Sequence, residues 1–153
     1  MTVKSFSNAL QNALEEEGQK SVATPWRELA IQCAGEAKGK TYISLVELEI
    51  PLLDDLSEPD FEKTKNLLRN CEHLLWVNGS HNPSMAVVDG LSRTARNEFA
   101  SLKFQVLHLS SLETALQHGP SLVSKLSTSN TTDDEFRERG GLLQTSRFFK
   151  SVT

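Results

Sequence analysis

The side chains able to do chemistry are few, and their spacing does not bring them together. The single tyrosine, Tyr42, lies in the apolar run Tyr42-Ile-Ser-Leu-Val46. A tyrosine that donates a proton in a reductase is helped by a lysine four residues later, and position 46 is valine. The run reads as a buried strand, so Tyr42 is expected in the core. Cys71-Glu72-His73 places a thiol, an acid and an imidazole side by side. Adjacent helical residues point in different directions and do not converge. Cys71 is therefore read as a small core residue and His73 as a helix-end group. Ser80-His81 lacks the G-x-S-x-G turn that would expose a nucleophile. The four histidines, His73, His81, His108 and His118, show neither H-x-H nor H-E-x-x-H spacing, which leaves no metal motif. The paired carboxylates Glu47/Glu49 and Asp54/Asp55 would titrate high if buried together. The first pair is expected instead at a strand end emerging into solvent before Pro51. Arg137, Arg139, Arg147 and Lys150 alternate with Glu135 and Glu138, as on a solvated hairpin face.

Phosphate-gripping loops are missing too. A dinucleotide site needs glycines between the first strand and its helix, so that backbone N–H groups can approach the pyrophosphate. Neither G-x-G-x-x-G nor G-x-x-x-x-G-K-[ST] occurs among the eight glycines.

One feature points to contact rather than chemistry. On the helix expected from Asn82 to Phe99, the inner stripe is Val88, Leu91, Ala95 and Phe99. Ala86 and Gly90 lie on the opposite side. A glycine inside a helix costs about 1 kcal/mol relative to alanine, which a close approach by another backbone would offset. Ala86, Gly90, Arg93 and Asn97 are thus the expected domain-docking face.

Positioning elements follow from periodicity and punctuation. Phe6 to Glu17 is helical, and Gly18 stops it. Ser21 to Ala23 is expected as a short strand. Pro25 opens another helical stretch, broken at 35–40. Tyr42 to Val46 is expected as a central strand covered on both faces. Ser57-Glu-Pro-Asp60 caps a helix whose inner face carries Phe61, Leu68, Cys71 and Leu75. Leu74 to Val77 is a short strand. Leu102 to Leu109 is a strand with alternating sides. Ser110 and Glu113 form a capping box for a helix that Gly119-Pro120 should interrupt. The small polar stretch 127–134 is expected as a mobile loop. Residues 135–148 form a β-hairpin about Gly140-Gly141. Strand–helix–strand alternation gives an α/β class: a truncated Rossmann-like, mainly parallel sheet with helices on both faces and a C-terminal β-hairpin.

Length and composition bound the rest. The 153 residues suit one domain, with 38% hydrophobic and 24% charged residues. A formal net charge of −4 argues against nucleic-acid binding. No apolar run is long enough for a membrane span, and the start lacks the apolar core of a secretory signal. Two distant cysteines, Cys33 and Cys71, exclude a disulfide framework and favour a reducing cytoplasmic setting. The N-x-S/T sequons at Asn78 and Asn130 are then chance matches.

Five segments in order resemble one family. They are Tyr42-Ile-Ser-Leu-Val-Glu-Leu-Glu-Ile-Pro-Leu-Leu53, Asp60-Phe-Glu-Lys-Thr-Lys-Asn-Leu-Leu68, Leu74-Leu-Trp-Val-Asn78, Asn82-Pro83 leading to Gly90-Leu-Ser-Arg-Thr-Ala-Arg-Asn-Glu98, and Glu135-Phe-Arg-Glu-Arg-Gly-Gly-Leu-Leu-Gln-Thr-Ser-Arg147. The set resembles the structural half of a ketoreductase in fungal highly reducing polyketide synthases, the pseudo-ketoreductase. The likeness covers about residues 20 to 148. It implies a truncated Rossmann fold without catalytic or cofactor-binding residues, spanning 1–153 with a tail at 149–153 towards a following domain. It also implies partners: the catalytic ketoreductase, the enoylreductase and the methyltransferase region of one synthase. NADPH, phosphopantetheine and malonyl units would belong to the parent synthase and not to this domain. The chain departs from the family pattern at its start, where only Thr2-Val3 could supply an initial strand, and at Asn78, where threonine is common. Two rival readings remain. One is a binding module acting in trans on an acidic acyl carrier protein or its acyl chain, through a basic patch of Arg93, Arg96 and Lys103. The other is a small enzyme, or a remnant of a short-chain reductase, using Ser80, His81 or Cys71.

Overall fold

The structure is a computed structural model, described here for residues 3–29, 40–50, 52–79, 85–110 and 112–145. Side chains at 85–86 and 112–116 are outside that description. The helix α1 (Val3–Glu16) buries Phe6, Leu10 and Leu14 on one stripe. Its end follows from Gly18, whose φ of +78° suits a residue without Cβ. The Gly18 N–H donates to the Glu15 carbonyl at 3.0 Å and the Gln19 N–H to Leu14 at 2.9 Å, closing the last turn.

Four parallel strands follow: β1 (Thr41–Ser44), β2 (His73–Gly79), β3 (Lys103–Leu109) and β4 (Glu135–Arg139). A fifth, β5 (Leu142–Thr145), pairs antiparallel to β4. Sheet order is β1-β2-β3-β4-β5. The helix α2 (Glu58–Asn70) joins β1 to β2, α3 (Met85–Glu98) joins β2 to β3, and α4 (Leu112–Thr128) joins β3 to β4. Leu67 and Leu68 of α2, with Val88 and Ala95 of α3, pack on Leu74, Trp76, Phe104 and Val106. On the other face, α1 and α4 (Val123, Leu126) pack on Leu75, Val77, Leu107, Leu109 and Phe136. The first two crossovers pass over one face and the third over the other, while the sheet extends in one direction. The third therefore winds with the opposite hand, and not all three can follow the right-handed preference.

Local rules hold where local chemistry is strong. Ser57 Oγ accepts from the Asp60 N–H at 3.3 Å, and Pro59 sits in the first turn of α2. The Gly140-Gly141 turn, with φ of +58° and +82°, joins β4 to β5 as expected of a two-residue hairpin. The inner stripe of α3 is also as expected, with Val88 and Ala95 buried and Leu91 and Phe99 packed against the same core.

Elsewhere tertiary packing overrides the sequence pattern. Ser21–Ala23 forms no strand, and Pro25 opens only a short 3-10 turn at Trp26–Glu28. That turn is held by α2: the Trp26 indole N–H donates to Asp60 at 2.9 Å, and the Lys63 ammonium lies 5.3 Å from the ring centre. β1 is covered on both faces but is the edge strand, not a central one. Phe61 is 52% exposed, because α2 buries Thr64, Leu67 and Leu68 instead. β3 alternates sides as expected, with Phe104 and Val106 on one face and Leu107 and Leu109 on the other, but helices cover both faces and Phe104 to Leu109 are all buried. α4 runs through Pro120 without a break. The proline ring crowds the Cβ of the preceding residue, and Gly119 has none. The hairpin beyond 145, the break at 35–39, Cys33, Asn82-Pro83, Ser80-His81, Glu113 as a cap, Arg147, Lys150 and the 149–153 tail lie outside the described residues.

Candidate functional site

In open α/β sheets, ligands bind beyond the carboxyl ends of the strands. Here those ends carry this chain's own polar side chains, already buried. Asn78 of β2 and His108 of β3 are register partners on the α2/α3 face, 0% and 3% exposed. His108 Nε2 is 2.9 Å from Asp89 Oδ1 of α3. That contact makes Nε2 the N–H donor to the Asp89 carboxylate. One strand over, on the opposite face, Glu138 is 1% exposed and accepts from the Ser110 hydroxyl at 3.0 Å.

At the amino ends the polar groups tie strands together. Thr41 Oγ1 lies 3.1 Å from His73 Nδ1, His73 Nε2 lies 2.9 Å from Gln105 Oε1, and Gln105 Nε2 donates to the Asp133 carbonyl at 3.1 Å. This chain crosses β1, β2, β3 and the approach to β4. Burial is the main cause that holds the His73 pKa below the ordinary histidine value, so its ring stays neutral. An open cleft of about 460 Å³ lies beside this end, lined by Arg96, Leu102, Lys103, Asn130, Thr131, Thr132 and Asp134.

The residues singled out from sequence separate in space. Tyr42 is half-buried on the edge strand, packed against the α2/α3-side core, with Val46 still in the lysine's place. Cys71 is buried at the end of α2, where burial pushes its thiol up to about 12. A thiol so shifted is a poor nucleophile. His73 is not a helix-end group but the first residue of β2. Glu47 and Glu49 diverge. Glu47 is 3% exposed in the turn after β1, where its carboxylate accepts from the Leu53 N–H at 2.9 Å; only Glu49 reaches solvent. Asp54 and Asp55 are exposed. Arg137 and Arg139 are exposed on β4, as expected, whereas Glu138 between them is buried. Asn78, the acceptor of the first sequon, is buried in the sheet. Among the described residues, no three His, Cys, Asp or Glu side chains could hold a metal ion. No described helix is long and apolar enough to cross a membrane.

In the expected basic patch, the two arginines are paired with carboxylates of the same chain and the lysine is bonded to a backbone carbonyl. Arg93 forms a two-pronged bond to Glu135, at 2.7 and 3.0 Å. Arg96 reaches Glu135 at 3.2 Å, Asp134 at 3.5 Å and the Phe104 carbonyl at 3.1 Å. Lys103 donates to the Ser129 carbonyl at 3.1 Å. Bonding to Arg93 holds the Glu135 carboxyl below the usual range. On α3, Gly90, Arg93 and Asn97 are exposed, and Val87 beside them is 44% exposed. A Cβ added at Gly90 would meet nothing within 4 Å. No described contact inside the chain accounts for a glycine there.

Comparison with known proteins decides the family. Residues 7–147 match the model of the HRPKS sdrA-like, NAD(P)-binding Rossmann-fold domain. The chain belongs to that family. It is 55% identical over 149 residues to the highly reducing polyketide synthase curS1 of Aspergillus terreus, covering 97% of this chain and 6% of the relative. It is 50% identical over 149 residues to the reducing polyketide synthase hmp8 of Hypomyces subiculosus, with the same coverage. With the highly reducing polyketide synthase Dhc3 of Alternaria cinerariae it shares 47% identity over 146 residues, 95% of this chain and 6% of the relative. The chain thus spans about 6% of the length of these relatives. No solved structure matches it. The family's description includes a dinucleotide, but this chain's residues do not fit one in the usual way. The positive-φ glycines described are Gly18, Gly140 and Gly141, none of which joins a parallel strand to the next helix. Near the carboxyl ends of β2 and β3 the chain's own Asn78 and His108 are buried, and the cleft described lies at the opposite ends.

Proposed function

We propose that this chain is a non-catalytic structural unit of a highly reducing polyketide synthase, bracing the catalytic ketoreductase and holding its neighbours in place. The observation that carries this reading is that the sequence holds neither G-x-G-x-x-G nor G-x-x-x-x-G-K-[ST], so no glycine loop of the usual kind cradles a pyrophosphate. Two further features support it. Tyr42 has no lysine partner at 46, and Cys71 is held as an inert thiol. NADPH and the phosphopantetheine arm are then handled by other parts of the synthase. Residues 1–153 act as one unit, with 129–134 as the loop between α4, which holds Ser127 and Thr128, and β4.

The docking surface proposed is the outer side of α3: Ala86, Gly90, Arg93 and Asn97. Gly90 permits a backbone to approach, and Val87 adds apolar area beside it. The occupant is the catalytic ketoreductase of the same synthase, with enoylreductase and methyltransferase domains as further neighbours. The carrier-protein reading is weaker, because Arg93, Arg96 and Lys103 are already committed to Glu135, Asp134 and Ser129.

Two measurements test the proposal. Titrating the chain into NADPH should leave the cofactor's fluorescence and anisotropy unchanged, and saturable micromolar binding would overturn the non-binding role. In the intact synthase, Gly90→Leu should loosen the hold on the ketoreductase and raise its susceptibility to proteolysis. Unchanged cleavage and unchanged product would remove α3 as the docking face.

A further inference from the structure

Five buried polar atoms without a protein partner lie in one seam. They are Ser44 Oγ, Trp76 Nε1, Asn78 Oδ1, Asn78 Nδ2 and His108 Nδ1. Ser44 pairs in register with Trp76, and Asn78 with His108. Trp76 and Asn78 are two residues apart on β2, so all four side chains stand on the α2/α3 face. Ser44 ends β1, Asn78 and His108 are next to the last residues of β2 and β3, and Trp76 lies at the middle of β2. Trp76 and Asn78 are fully buried, and His108 is 3% exposed.

Leaving so many buried donors and acceptors unpaired is costly. An amide or hydroxyl buried without a bond forfeits the hydrogen bonds it makes to water in the unfolded chain. Native interiors meet this need with ordered water, which typically makes about three hydrogen bonds to otherwise unsatisfied groups. The unpaired set matches water's chemistry and not an ion's. Trp76 Nε1 and Asn78 Nδ2 are donors. Asn78 Oδ1 is an acceptor, and His108 Nδ1 needs a partner that can donate or accept, as water can. Each atom is sealed from bulk solvent, so the partners must be internal.

We propose that this seam is an internal hydration site. One ordered water bridges the Asn78 amide and His108 Nδ1, and a second bridges Ser44 Oγ and Trp76 Nε1. Water thus takes the hydrogen bonds that a bound ligand would take at the carboxyl ends of a working sheet of this kind. The inference concerns this chain's own interior, and it stands or falls apart from the scaffold role.

A high-resolution crystal structure of the chain is the direct test. Density for a water within hydrogen-bonding distance of both Asn78 and His108 Nδ1 is the expected result. A dry seam, or these atoms bonded directly to protein, would overturn it. A solution measurement gives a second reading. In a Trp26→Phe background, the Trp76 indole N–H should show a magnetisation-transfer peak to water. A dry indole would show none, and the second water would be refuted even if the variant's stability were altered.

Discussion

Gly119 is the point where two helices meet with no room to spare, and filling it should cost stability. A Cβ built there would lie 2.7 Å from Cε2 and 3.0 Å from Cζ of Phe6, and 3.6 Å from Cδ1 of Leu109. Phe6 is 0% exposed and anchors α1 against α4, so its ring has little space in which to retreat. Forcing a methyl group into a packed core costs about 1–3 kcal/mol. The usual helix gain for glycine to alanine, about 1 kcal/mol, is reduced here because the Pro120 ring disfavours a helical residue with a Cβ before it. Gly119→Ala should therefore destabilise by about 1–2 kcal/mol, lowering Tm by about 2–8 °C for a chain of this size. Urea unfolding followed by circular dichroism measures the first figure and a thermal melt the second. The same change made in a Phe6→Leu background should cost much less, because the ring edge is gone, giving a coupling of about 1 kcal/mol or more in the double-mutant cycle. A Gly119→Ala chain as stable as its parent, or a cost unaltered by Phe6→Leu, would refute the close-contact argument.

Further predictions concern single side chains. In a Cys33→Ser background, Cys71 should react with an aromatic disulfide far more slowly when folded than in denaturant. A thiol raised to about 12 holds roughly a thousandfold less thiolate than one at 9. Stability should be complete above about pH 6.5 and fall as pH drops below it, because the unfolded chain binds a proton at His73 before the folded chain does. His73→Gln should flatten that limb of the stability curve. Arg96→Ala should cost about 1.5–3 kcal/mol in denaturant unfolding by stripping charged hydrogen bonds from Glu135 and the Phe104 carbonyl. Arg96→Lys should not restore it fully, since an ammonium cannot span three acceptors as the planar guanidinium does. Glu47→Ala should destabilise the turn after β1, because the Leu53 N–H loses its buried acceptor; near-neutral stability there would show that the N–H finds another partner.

The sequence by itself determined what nearest neighbours along the chain decide. Ser57 and Pro59 begin α2, Gly18 ends α1, Gly140-Gly141 turns the hairpin, and the α3 stripe repeats at helical spacing. The α/β class, and the missing glycine loop and tyrosine–lysine pair, were equally legible, since motifs are local patterns. Which strand lies at an edge is a different matter, because apolar runs look alike wherever neighbours cover them. Tyr42 to Ser44 read as central, yet only tertiary packing placed that strand at the rim. The same holds for Glu47, Asn78, His108 and Glu138, whose polar types suggest solvent and whose burial depends on partners 6 to 28 residues away or on the helices that cover them. Pro120 follows the rule in reverse: a local helix breaker is carried inside α4 by the core that Val123 and Leu126 build against the sheet. Local signals act over a turn or two, whereas burial is a property of the whole packed chain.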